Sequence, residues 1–197
     1  MATAFFITHP DVVIDPSLAV AEWPLNPRGR RRMRAAASQP WAGGIRRIFC
    51  SSERKARDGA EILAEELGLA GYDVVPDLGE NDRTATGYLA PAEFEATVDA
   101  FFAQPEISVR GWERAIDAQQ RIVAAVAQIL AGRGADLDLA IIGHGGTGAL
   151  LYCHLAGVAI SRRCDQPATK GGNWFAFDAA TSELLTEGWR TISAAEE

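Results

Sequence analysis

Two of the three histidines in this chain stand where an imidazole can meet a ligand. His9 follows the apolar run ATAFFIT, and His144 follows LDLAIIG and opens the glycine-rich stretch GHGGTG. The third, His154, falls later in the helix expected after GHGGTG and reads as structural. Between the first two lie Ser51 and Ser52, the basic run Arg54, Lys55 and Arg57, and the carboxylate Glu80. A neutral imidazole can attack phosphorus and hold the phosphoryl group covalently. A second histidine and a cation can stabilise charge on the equatorial oxygens. A carboxylic acid whose pKa is raised by its surroundings can protonate the leaving oxygen. The chemistry that these residue types can perform together is phosphoryl transfer, and it requires neither a metal nor a cofactor.

Such residues converge only if the elements between them bring them together. The pattern predicts strands over residues 2–8, 45–50, 72–75 and 137–143 and two final strands over 173–178 and 183–189. Helices are expected over 26–37, where Asn26-Pro27 supplies a cap and a first-turn proline, and over 53–67, capped by Ser51 or Ser52. Further helices are expected over 92–103 and 113–131 and after GHGGTG to about residue 156. Alternating strands and helices imply an α/β fold, a three-layer sandwich with a mainly parallel sheet flanked by helices. Ligands in such sheets bind beyond the carboxyl ends of the strands. His9, the 51–57 run, Glu80 and His144 all fall at those ends, where helix N-termini also offer N–H groups to an anion.

Length and composition agree with one globular domain over residues 1–197: 48% of residues are hydrophobic and 23% charged. The formal charge of -7 conceals a split. Residues 28–57 hold ten basic side chains and a single acid, Glu53, for a net +9, and the remainder carries -16. The first half of that stretch, Arg28 to Arg34, reads as a solvent-facing helix side. The acidity, with no aromatics interleaved among the basic residues, argues against a nucleic-acid partner. Three unpaired-looking cysteines and three histidines argue against a structural zinc site and suit a reducing cytoplasm. No apolar run reaches membrane-spanning length, and no secretory leader is expected at MATAFFITHP. GHGGTG also fits a dinucleotide fingerprint, with Asp165 about twenty residues on. That reading is rejected, because ISRRCD before and including Asp165 is a poor strand and too little chain follows it.

The ordered motifs resemble the histidine phosphatase, or phosphoglycerate mutase-like, superfamily. The resemblance rests on Ile7-Thr8-His9-Pro10, Leu25-Asn26-Pro27-Arg28-Gly29, Cys50-Ser51-Ser52-Glu53-Arg54-Lys55-Ala56, Leu78-Gly79-Glu80 and Ile142-Gly143-His144-Gly145-Gly146-Thr147. It implies a phosphomonoester hydrolase with His9 as the phosphorylated nucleophile, Glu80 as proton donor and His144 as second pocket histidine. It also implies that Thr8, Asp15, Lys55 and Gly145 surround the phosphate. Lys55 falls where the family has its second arginine, and Asp15 where many members have an asparagine.

Thr8 departs from the family, which has an arginine there; a threonine supplies neither a charge nor a bidentate fork. Arg54, Arg57 and Arg28 are open as replacements. Pro10 replaces a glycine and removes one N–H. An impaired phospho-ligand binder on the same fold and a mutase-type phosphotransferase therefore stay open beside hydrolysis. The long connection over 76–112 is expected to shape the entrance for a small phosphorylated molecule, with Arg83, Tyr88, Arg110 and Trp112 in it. A homo-oligomer is an open arrangement beside a single chain.

Overall fold

Strands covered by helices on both sides must be apolar on both faces. That requirement is met along β1 (Thr3–Thr8), along β4 (Asp138–Gly143) after Asp138, and over the last three residues of β2 (Ile45–Cys50), whose Arg46 and Arg47 are less buried. In the computed structural model, which describes residues 2–132 and 137–192, these join β3 (Asp73–Val74), β5 (Asn173–Asp178) and β6 (Arg190–Thr191) in one sheet. The parts of the expected domain at residues 1, 133–136 and 193–197 lie outside the described residues. The strand order is β3-β2-β4-β1-β5-β6. β1, β2, β3 and β4 are parallel; β5 runs antiparallel to β1, and β6 to β5.

Helices α1 (Pro27–Ala37) and α2 (Arg54–Leu67) cover one face, where Met33, Ala60 and Leu63 pack against Phe5 and Ile7. Helices α4 (Ala115–Gly132) and α5 (Gly145–Leu155) cover the other, where Ile122, Val126 and Leu151 meet Ala4 and Phe6. The alternation along β1 thus sends successive side chains to opposite layers, and each large one buried contributes roughly 1.5–3 kcal/mol. Helix α3 (Pro91–Ala103) stands apart from the sheet. Its Phe101 and Phe102 pack with Trp112, Ala149 and Leu150 in a third cluster beside α5. The Asn26 side chain accepts from Gly29 N at 2.9 Å and caps α1 as its sequence position suggests.

Three expectations need correction. The last strand is not at 183–189: Leu184 makes only an isolated bridge to Phe177, and pairing resumes at Arg190. The intervening chain turns at Gly188, whose N–H donates to the Tyr152 hydroxyl, so that Trp189 can pack edge-on against Phe175. Helix α2 begins after Glu53, whose own side chain makes no cap bond; Ser51 lies just before it, and its hydroxyl accepts from Glu53 N at 3.3 Å. The α1 arginines are not all solvent-facing, since Arg32 is only 3% exposed. Among the described residues no helix is long and apolar enough to cross a membrane.

Candidate active site

Strand register brings the histidines together. Thr8 pairs with Gly143, so His9 and His144 leave the sheet side by side, their ring centroids 5.2 Å apart. Cys50 pairs with Ile142, which puts Ser51 next to the same crossing. The His9 Nδ1 lies 3.0 Å from the Pro10 carbonyl oxygen, which can only accept. Nδ1 therefore carries the proton, and the lone pair is on Nε2. Desolvation, then the proximity of His144 and Lys55, lowers the His9 pKa to about 3. The ring is thus neutral at physiological pH with Nε2 available as a nucleophile.

His144 is fully buried. Its Nε2 is 2.7 Å from Ser51 Oγ and 3.4 Å from Glu53 Oε1, while Nδ1 meets no partner among the described residues. Burial lowers the His144 pKa, with Glu53 and Glu80 opposing. The Lys55 side chain is buried at the start of α2, where its Nζ pairs with Glu53 Oε2 and donates to the Val20 carbonyl at 2.8 Å. Glu53 also accepts the Glu80 N–H at 2.9 Å through Oε1. Burial pushes the Glu53 carboxyl up, but His144, Lys55 and these hydrogen bonds outweigh it and hold the pKa at about 2. Lys55, Glu53 and His144 form one electrostatic unit beneath His9.

Glu80 reaches the start of α5. Its Oε2 accepts from Gly146 N at 3.1 Å and its Oε1 from Thr147 N at 2.9 Å. A Cβ at position 146 would stand 2.7 Å from Oε1 and would force the carboxylate to shift from these amides. Burial alone would raise the Glu80 pKa, but Arg83, His144 and the Thr147 N–H pull it below its ordinary value. The carboxylate is therefore ionised without a ligand, contrary to the raised pKa that a resting proton donor needs. Arg83 stands 3.9 Å from Glu80 Oε2, with its guanidinium over the rings of Phe94 and Trp112.

The structure thus gathers His9, Lys55, Glu80, His144 and Gly145 and sets Arg83 at their edge. Thr8 is buried, its hydroxyl 2.8 Å from Gln166 Oε1 and 3.0 Å from Asn173 N. Asp15 is not brought into the group; its carboxylate accepts from Ser17 N and Oγ at 2.9 and 2.6 Å. Arg110 pairs with Glu93 on the surface instead. Trp112 is a core side chain, its Nε1 donating to Thr86 Oγ1. Arg54 and Arg57 point to solvent, and Arg28 pairs with Asp11. Glu53 was not singled out from the sequence, although being the sole acid in the +9 stretch was a signal. Gln166 had no such signal.

The sequence matches the histidine phosphatase superfamily (branch 1) over residues 19–184. No curated protein matches it. Among solved structures it is similar to a mycobacterial glucosyl-3-phosphoglycerate phosphatase in complex with inorganic phosphate, at 22% identity and a TM-score of 0.73, covering 99% of both chains. It is similar to Bacillus stearothermophilus YhfR at 18% identity and a TM-score of 0.80, covering 100% of both. The alpha-ribazole phosphatase from Shigella flexneri aligns at 16% identity with a TM-score of 0.70, covering 99% of both. At these identities the likeness is one of fold.

Proposed function

Since this chain belongs to the histidine phosphatase superfamily, we propose that it is a single-domain phosphomonoester hydrolase acting through a phosphohistidine at His9. The observation that carries this reading is the neutral His9 ring with its proton directed to Pro10 and its Nε2 lone pair left for phosphorus. In the first step Nε2 attacks, the P–O ester bond breaks, and the alcohol oxygen takes a proton. In the second, water attacks phosphorus, the P–Nε2 bond breaks, the proton of the water passes to the carboxylate that gave one up in the first step, and inorganic phosphate is freed. Lys55, the His144 ring, the α5 N-terminus at Gly145 and the edge cation Arg83 are the groups that meet the phosphoryl charge. All are protein groups, so the scheme runs without a metal.

Glu80 is the proton donor in this reading, and it must first acquire a proton. A phosphoryl dianion arriving beside it disfavours a second negative charge and raises its pKa. Substrate binding is then coupled to proton uptake. Mixing the protein with a radiolabelled aryl phosphate and quenching in alkali tests the reading. An acid-labile phosphohistidine that disappears in His9→Ala, together with phosphate release, is the expected result. Binding without label or turnover would overturn hydrolysis and leave a phospho-ligand binder. That second reading is favoured by Thr8, which brings no charge to the pocket.

A further inference from the structure

A threonine stands beside His9, and its hydroxyl does not reach toward the proposed phosphoryl position as a free donor. It is bonded to Gln166, a residue 158 positions away in the chain. The orientation of the Gln166 amide can be followed from a fixed point. The Pro167 carbonyl oxygen can only accept, and Asn173 Nδ2 lies 3.3 Å from it. Asn173 Oδ1 correspondingly faces the hydroxyls of Thr169 and Thr191 at 3.0 and 2.9 Å. Asn173 Nδ2 then donates to Gln166 Oε1 at 2.9 Å, and Thr8 Oγ1 donates to the same oxygen at 2.8 Å. Both lone pairs of Oε1 are taken, which leaves the Gln166 NH₂ to face away from this anchor.

It faces the start of α5. A Cβ added at Gly145 would collide with Gln166 Nε2, so the amide nitrogen lies directly over the residue that follows His144. Nε2 meets no acceptor among the described residues. One side chain therefore spans from the residue before His9 to the residue after His144, with two unused N–H donors at the far end. In the preceding residue, His144 Nδ1 is also buried with no partner among the described residues.

We propose that Gln166, held by Thr8 and Asn173, is a phosphoryl-binding residue that supplies a neutral donor in place of the arginine absent at position 8. The proposal rests on the hydrolase reading for the location of the phosphoryl group. Thr8 and Asn173 act through Gln166 and are positioning residues. An amide NH₂ offers the phosphoryl oxygens hydrogen bonds but neither the charge nor the planar fork of an arginine, so the site depends more heavily on Lys55.

Orthovanadate is a suitable probe, with affinity read by calorimetry across pH and expressed relative to the unmodified protein at each pH. Gln166→Glu keeps the oxygen that Thr8 and Asn173 bind and turns the NH₂ into a carboxylate oxygen. It is expected to lower relative affinity at least about tenfold at neutral pH, the scale of one lost phosphate contact made repulsive. Affinity should recover as pH falls and the carboxyl regains a donor proton. A purely structural Gln166 would show no such pH-dependent recovery. Relative affinity near unity, or a loss that is the same at every pH, would overturn the proposal. Should Gln166→Glu not fold, Gln166→Leu adds no charge, and unchanged vanadate affinity in that variant is equally fatal. Loss of vanadate binding in these variants without any phosphohistidine in the parent protein would sustain this inference and overturn the hydrolase reading. Normal labelling and turnover in both variants would do the reverse. No vanadate binding by the parent protein would overturn both.

Discussion

Arg32 and Lys55 come from the same +9 stretch, both are buried to 3% exposure, and both pair with a carboxylate. They differ in what else they meet. The Arg32 guanidinium donates to Asp11 Oδ2 at 2.9 Å and to the carbonyls of Thr169, Gly172 and Ile192. It joins α1 to the loop after β1 and to the chain near the sheet's far edge, and it is surrounded by acceptors. Lys55 Nζ has Glu53 and one carbonyl, leaving one of its three N–H groups, and it sits close enough to His9 to disfavour a charge there. A buried cation encircled by carbonyls serves the fold. One with a donor to spare beside two neutral imidazoles is placed to take an anion.

The sharpest break of this comparison is Arg32→Met. It takes from Asp11 its buried cation, leaving the exposed Arg28 at 3.3 Å, and is expected to cost about 3–5 kcal/mol in urea unfolding, the scale for breaking a buried pair. The kcat/KM of the folded fraction should stay within a few-fold of the parent. Lys55→Met should do the opposite, lowering kcat/KM on the order of 10²–10³, about 2.7–4 kcal/mol of transition-state stabilisation, with a smaller shift in the unfolding midpoint. If both variants lose stability alone, the distinction between the two cations collapses.

Glu53→Gln sharpens the comparison by freeing Lys55. We expect about 1–3 kcal/mol of destabilisation from the lost charge-assisted bonds together with tighter orthovanadate binding, seen by calorimetry. Weaker binding would show that Glu53 orients Lys55 more than it neutralises it. The smallest effect is spectroscopic. In an NMR titration of the unliganded protein, His9 should show a midpoint near 3 and remain uncharged through neutral pH. Its folded pKa lies below the ordinary value of about 6.5, so the unfolded chain binds the extra proton first. Stability is then unaffected above that value and falls as pH drops from 6.5 toward 3. A midpoint at 6.5 would mean that neither burial nor Lys55 acts on the ring.

Much of the candidate site was legible because strand ends are legible. Apolar runs that stop at His9 and His144, a helix start at Lys55 and a glycine-rich turn at Gly145 all declare themselves locally, and parallel register does the rest. Glu80 could be placed by its strand, but its two bonds to the α5 amides could not. Asp15 and Arg110 were placed by motif position or by their segment, and each side chain turns to a nearer partner, Ser17 or Glu93. The arginine run on α1 looked uniformly solvated because helical spacing does not reveal which residue faces a distant loop.

By itself the sequence determined the α/β class, the buried first strand, and a histidine at the carboxyl end of each of two strands. Those follow from short-range periodicity and chain stereochemistry. Only the tertiary structure decided that Glu53 turns inward to bind Lys55 and His144, that Arg32 is enclosed, and that Gln166 hangs from Thr8 over Gly145. A polar side chain takes its direction from whichever donor or acceptor lies opposite once water is excluded, and here those partners come from segments up to 165 residues away.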